Sequence, residues 1–414
     1  MIGFSFLKNL LPWGKRAVFN LPPCETVEIE TAHEKAARTL KHLLKLNHAN
    51  YAILWNERKF HNHSPHSLSS FFLLGADTND LNRLYEAELK PLEGWADSPG
   101  EISTYDWRDY LGKREYQRAY VDFFEDELVR YSYDWKKVVF KYLFEGKEPL
   151  FNALTSDLGH PLIHIAYAFE ISSREVAMEA LSLASVCYSS THKYLDDPSY
   201  SQAEASYSSF SPIEVISKVR ADKRLANLFT APGDHNIDIV FRDAEATILD
   251  HWNAWKIPHN TADAMSSLRE SQELATALLT ATLDPTKNPD AKYDFFFVHV
   301  LTTSHAIRVL LPLIPAQFQI PLVRQWWLLT LAVYIGQLRP EIDLDSVRGF
   351  DTEGKSWGYI KDKALHGGHS TETHYIKTLR VLRDTARTWD DPDEFYLKAA
   401  VKFADGFTGW GVFV

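Results

Sequence analysis

The chain has 414 residues, 45% hydrophobic and 24% charged, with a formal net charge of -11. That length exceeds the ~250–300 residues at which one hydrophobic core usually stops growing, so it holds one large domain or two fused ones, of soluble globular composition. The acidic balance, with no Lys/Arg stripe interleaved with aromatics, excludes nucleic acid as the expected partner.

In chain order, the opening MIGFSFLKNLLPWGKR carries an apolar run that Pro12 interrupts. No small-residue cleavage pattern follows it, so it does not read as a signal peptide. Residues 1–28 are expected to form an N-terminal extension packed on a helical domain of residues 29–414. A 3.6-residue apolar period predicts helices over 29–48, 115–145, 173–189, 263–282, 318–337 and 372–387. Start signals are Ser64 before Pro65, Ser172 before Ser173-Arg174-Glu175, and Asp391 before Pro392. Loops are expected at 92–108, 190–212 and 340–360, where Gly, Ser, Asp, Pro and Tyr concentrate.

The longest apolar stretch, WWLLTLAVYIG at 326–336, is about half the ~20 residues that span a bilayer. It predicts a buried core helix, and no membrane partner is expected. Strand-like alternation is scarce and no fixed-length repeat appears. The expected fold class is all-α, one large helical bundle in one or two lobes with few or no strands. Cys24 and Cys187 are the only cysteines, which rules out a disulfide framework and makes a reducing, cytoplasmic setting the default.

Seventeen histidines are many for an acidic chain, and four stretches gather them. FHNHSPH puts His61, His63 and His66 around a helix start. GHPLIHIAYAFE places His160 and His164 four apart, on one helical face. DFFFVHVLTTSH sets His299 inside an aromatic, apolar helix, and GGHSTETHYIKTLR carries His374 and Lys377 three apart on another face. His192 and His235 fall in expected loops, outside the set. Each stretch has a plain structural reading: a core pair, a satisfied core histidine, a solvated loop, or a basic helix face with Lys361 and Arg380. Their number argues for more, because several imidazoles among apolar runs are costly to bury without a common partner. A metal ion is the economical partner.

Known signatures narrow the type. HExxH is absent, since Pro161 stands where its glutamate would be. No histidine is followed two residues on by Asp or Glu, the cue of many facial-triad iron oxygenases. There is no GxGxxG after a strand and no GxxxxGK[ST], and GFTGWG at 406–411 has the wrong spacing. No GxSxG elbow occurs. A flavin or nicotinamide on a Rossmann unit is therefore disfavoured.

Together, GHPLIHIAYAFEISSREVAMEAL, FHNHSPHSLSSFFLLGAD, YDFFFVHVLTTS and THYIKTLR resemble the questin oxidase-like family of fungal polyketide pathways. The resemblance spans roughly residues 30–390, and GHPLIH is its most specific block. It implies an all-helical oxygenase that opens the quinone ring of an anthraquinone with dioxygen, giving a benzophenone carboxylate. A second histidine commonly follows His66 in the family; Ser67 stands there in this chain, so no role for that imidazole carries over.

With the family match, Lys377 is expected to be carboxylated. An ammonium has no lone pair for a metal, whereas a lysine carbamate is an anionic oxygen donor. Burial and a nearby cation favour the neutral amine that reacts with carbon dioxide. An unmodified Lys377 that hydrogen-bonds substrate or superoxide is the competing expectation. The expected centre is non-haem Fe(II) held by His66, His164, His299, His374 and Lys377. His63 and His160 are expected as acid/base groups or reserve ligands. Phe295, Phe296, Phe297, Tyr167, Trp326 and Trp327 offer flat surfaces for a polycyclic substrate, unless they are core.

NADPH or a partner reductase would enter if the quinone must first be reduced. Three alternatives stay open: a flavin- and NADPH-dependent Baeyer-Villiger oxidase, a metal-dependent hydrolase, and a non-catalytic helical scaffold. The hydrolase reading, built on His61 and His63, needs a β/α barrel whose strand-helix alternation this chain lacks.

Overall fold

Helix-length apolar periods with almost no alternation leave the chain one way to bury its core, helix against helix. The computed structural model describes residues 17–283 and 290–411. Among these are nineteen α-helices and four two-residue strands, an all-α fold as expected. The first seven helices are α1 (Lys35–Asn50), α2 (Ser64–Leu74), α3 (Thr78–Glu88), α4 (Gln117–Arg130), α5 (Trp135–Phe144), α6 (Ser156–Ile171) and α7 (Arg174–Val186). Next come α8 (Lys193–Asp196), α9 (Pro198–Gln202), α10 (Pro212–Ala221), α11 (His235–Asp243), α12 (Glu245–Ala254) and α13 (Thr261–Thr280). The last are α14 (Phe295–Leu310), α15 (Ala316–Gly336), α16 (Asp345–Arg348), α17 (Trp357–His366), α18 (Thr373–Trp389) and α19 (Phe395–Gly406).

Helices α6, α7, α14 and α15 are buried along nearly their whole length and form the centre. α6 packs against α7 and α14, and α18 against α2, α14 and α19. Strand β1 (Leu54–Trp55) pairs antiparallel with β2 (Phe60–His61), Leu54 opposite His61. β3 (Tyr293–Asp294) pairs in parallel with β4 (Trp410–Gly411) and anchors the start of α14. The stretch 326–336 lies inside buried α15, and no helix among the described residues is long and apolar enough to cross a membrane.

Some boundaries depart from the periodicity. The span 115–145 divides into α4 and α5 because Ser132 and Tyr133 take left-handed φ of 54° and 63°, and Asp134 then caps α5 by accepting from the Lys137 N–H. Ser172 ends α6 in a left-handed conformation, while Ser173 caps α7. Asp391 accepts from the N–H groups of Tyr396 and Leu397, so α19 starts at Phe395. The expected loops 190–212 and 340–360 hold the short helices α8, α9 and α16. His192 ends a 3-10 turn and His235 opens α11 instead of lying in loops. Residues 1–16 lie outside the described residues; after them, Phe19 and Leu21 are buried, and the Phe19 N–H donates to Gln319.

One buried ion cluster ties the centre together. Arg380 on α18 donates to both oxygens of Glu170 on α6, and His305 Nε2 on α14 lies 3.3 Å from the same carboxylate. Burial by itself would raise the Glu170 carboxyl, but Arg380 and His305 hold it down at about 2. Removing one partner leaves an uncompensated buried charge, so Glu170→Ala is expected to cost ~3–5 kcal/mol in urea unfolding. Because the carboxyl is depressed in the fold, its contribution should be present above about 4.5 and fade as pH falls toward 2. An unfolding midpoint equal to wild type at pH 7 would contradict this.

Candidate metal centre

The histidine-bearing stretches lie at the starts of four helices. α2 begins after His63, which occupies the N-cap without using its ring to cap. Pro65 sits in the first turn, where its missing N–H costs nothing. α18 is capped by Glu372, which accepts from the Tyr375 N–H and puts His374 at its second position. α14 is capped by Asp294, with His299 one turn in.

α6 is built less simply. Asp157, Leu158 and Gly159 are all left-handed, at φ 53°, 56° and 77°, so the right-handed run starts near His160 and Pro161 falls in its first turn. A Cβ on Gly159 would come within 2.3 Å of Thr303 on α14, so only glycine allows this approach. Two non-glycine residues in that region cost about 1–2 kcal/mol each. Such strain concentrates at functional sites. Here it aims the Asp157 carbonyl at His160 Nδ1, 2.6 Å away.

The result is a closed ring of four imidazoles. Ring centroids lie 5.1 Å apart for His63 and His160, 5.0 Å for His160 and His299, 5.2 Å for His299 and His374, and 4.8 Å for His374 and His63. Ligating atoms of His63, His160 and His374 all fall within 4.8 Å of one another.

Nδ1 of three members is occupied from outside: His160 by the Asp157 carbonyl, His299 by the Phe295 carbonyl at 3.0 Å, and His374 by Glu372 Oε1 at 3.4 Å. Each then carries its lone pair on Nε2, the arrangement usual for metal-binding histidines. Nε2 of His299 and of His374 is buried with no hydrogen-bond partner, and Nε2 of His63 and His160 face each other at 3.0 Å. Such a pair needs a proton or a cation between its members. Burial, reinforced by neighbouring positive groups, pushes the pKa of His63, His160 and His299 well below the usual value, so they are neutral and ligand-competent at pH 7.

Lys377 follows His374 by one turn and is fully buried. Burial lowers its pKa to about 7 against the opposing pull of Glu372 and Glu88. Glu88, at the end of α3, is itself pushed up to about 7 by burial, although hydroxyl contacts from Thr373 and Ser67 oppose the rise.

His66 and His164 stand behind this ring. His66 Nε2 meets His164 Nδ1 at 3.0 Å, His164 Nε2 meets Glu179 at 3.0 Å, and His66 Nδ1 lies 3.5 Å from Lys377 Nζ. Thus His63, His160, His299 and His374 come together, Lys377 reaches His66 beside them, and both nitrogens of His164 are engaged elsewhere. Of the six aromatics, Phe295 packs on His299 and His374, and Tyr167 stacks on His66. Phe296, Phe297, Trp326 and Trp327 are core.

Apart from His61, which stands in the FHNHSPH stretch, the groups that hold the ring are not marked out in the sequence. His61 stacks on His160 at 3.6 Å and pairs with Asp157 at 2.9 Å, and Arg114 holds the same carboxylate. Cys187 lies 3.9 Å from His61. With Arg114 attached, this trio reads as a support for His61. Glu179 had a legible signal, a carboxylate inside the apolar run EVAMEALSLAS; Asp157 and Glu372, beside short helix starts, had none.

Residues 60–382 match the family model described as questin oxidase-like. Among curated relatives, the Baeyer-Villiger oxidase ptaJ of Pestalotiopsis fici is 24% identical over 83% of this chain and 79% of its own length. The questin oxidase of Aspergillus terreus is 24% identical over 84% and 80%. The oxidoreductase AflY of Aspergillus parasiticus is 24% identical over 88% and 77%.

Proposed function

The chain belongs to the questin oxidase-like family, and on that premise we propose that it is a non-haem iron oxygenase that uses dioxygen to open the quinone ring of an anthraquinone-type polyketide. One observation carries the reading: the closed four-imidazole ring with buried, partnerless Nε2 atoms at His299 and His374. Unpaired buried acceptors are costly, and a cation is the partner that suits several at once.

The proposed ligands are His63, His160, His299 and His374, with Lys377 as its carbamate. His66 is better suited to hold Lys377, and His164 to hold His66, than to ligate, given where their nitrogens point. Four neutral imidazoles bring no charge to offset a divalent ion, which is why an anionic fifth donor is wanted. Bound there, Fe(II) supplies the one-electron reactivity toward dioxygen that spin-paired substrates lack.

The chain's own residues do the rest. Burial lowers the Lys377 pKa to about 7, so a substantial share of the side chain near pH 7 is the amine that takes up carbon dioxide. The positive ends of α2 and α18 favour an anionic group beside them. Glu372, the Phe295 carbonyl and the Asp157 carbonyl hold the rings in their ligating tautomer, and the Phe295 ring covers His299 and His374.

The test is metal analysis of the purified full-length protein together with oxygen uptake on hydroxylated anthraquinones, offered as quinone and as hydroquinone. Stoichiometric iron, oxygen consumption and a ring-opened benzophenone are expected, with NADPH or a reductase required only for the quinone. Turnover by iron-free protein would overturn the proposal. The names of relatives such as the Baeyer-Villiger oxidase ptaJ favour a second reading, a flavin- and NADPH-dependent oxidase, which a bound yellow chromophore would support.

A further inference from the structure

Behind the imidazole ring runs a line of buried polar groups that leads from Lys377 to the surface. His66 Nδ1 lies 3.5 Å from Lys377 Nζ, and His66 Nε2 lies 3.0 Å from His164 Nδ1. His164 Nε2 is 3.0 Å from Glu179 Oε2, and Glu179 Oε1 is 2.7 Å from His48 Nδ1. His48 Nε2 ends the line 3.0 Å from Glu125, whose side chain is 45% exposed.

Hydrogen-bond polarity orders this line. A carboxylate only accepts, so His164 donates from Nε2 to Glu179, and its neutral imidazole form has the lone pair on Nδ1. His66 then donates from Nε2 and keeps its lone pair on Nδ1, the atom that faces Lys377. We propose that Glu179, clamped by His48, is a positioning residue for Lys377: it sets the tautomers of His164 and His66 and thereby presents a lone pair to Lys377 Nζ.

Glu179 is ionised for this task. Burial would raise its carboxyl, but hydrogen bonds from His164 and His48 hold it at about 2. His48 supplies the countercharge, because contacts with Glu125 and Glu179 outweigh its burial and raise it to about 10. A lysine keeps one N–H after carboxylation. With that N–H donated to His66, the orientation of the planar carbamate about Nζ is set. This last step rests on the carbamate reading above; the tautomer assignment does not.

The experiment uses the full-length chain, labelled with 15N-histidine and supplied with diamagnetic zinc. Long-range 15N–1H correlation then reports each tautomer. His66 and His164 should both be Nε2–H in wild type. Glu179→Leu should release His66 from that form, whereas Glu179→Gln should retain it, its amide oxygen accepting from His164 while its NH2 donates to a now neutral His48.

In parallel, 13C-bicarbonate should label Lys377 in wild type and Glu179→Gln, with labelling reduced about tenfold in Glu179→Leu. An Nδ1–H tautomer of His66 in wild type would overturn the proposal, even if Glu179→Leu fails to fold. An unchanged His66 in a folded Glu179→Leu would also overturn it. The expected tautomers without any 13C label would sink the carbamate reading alone and leave Glu179 as the group that positions Lys377.

Discussion

Lys377→Arg should abolish both bound metal and ring opening, while Lys377→Glu keeps more metal than Lys377→Ala. Loss of activity in Lys377→Ala alone would not discriminate, because a working cation and a working carbamate are both removed by it. The guanidinium stays protonated, cannot be carboxylated and repels a cation; glutamate is shorter than a carbamate but restores an anionic oxygen at the same helix position. A small carboxylic acid should partly rescue Lys377→Ala by filling the vacated space. Metal content by elemental analysis and oxygen uptake are the readouts, with helical circular dichroism as the control for folding. If Lys377→Arg keeps metal and turnover, the side chain acts through its positive charge and the carbamate must be given up.

His374→Ala should lose stoichiometric metal and activity with its helicity intact, and the same is expected of His63→Ala, His160→Ala and His299→Ala. His164→Ala should behave differently. Its nitrogens are directed at His66 and Glu179, so it should still fill with metal at saturation, with affinity lowered about 10–100-fold, as is usual when a supporting hydrogen bond is lost. His192→Ala, whose ring is paired with Asp196 on α8, should match wild type in both respects. A His164→Ala protein as empty as His374→Ala would return His164 to the ligand set that the sequence suggested.

Both experiments turn on a distinction between pairs that are alike in sequence. His160 and His164 stand four apart in GHPLIH, and helical periodicity puts them on one face. The three left-handed residues before His160 break that equivalence, because they turn Asp157 back onto its ring. His164, a turn deeper, is met by a carboxylate from α7. Similarly, His63 and His66 share FHNHSPH, but one precedes the helix and joins the ring while the other lies within it and points at α6.

By itself, the sequence determined that this is an all-α chain and marked out its histidine stretches, one of them with a lysine a turn beyond the histidine. Apolar periodicity, helix-start residues and the cost of burying polar groups are local or compositional properties, readable without coordinates. The family resemblance rode on those same local blocks. Only the tertiary structure decided which nitrogen atoms face one another. That choice depends on partners far along the chain: Lys377 and His66 are 311 residues apart, and His48 and Glu179 131. Lone-pair direction is set by whichever acceptor occupies the other ring nitrogen, and such acceptors arrive only when α2, α6, α7, α14 and α18 pack together.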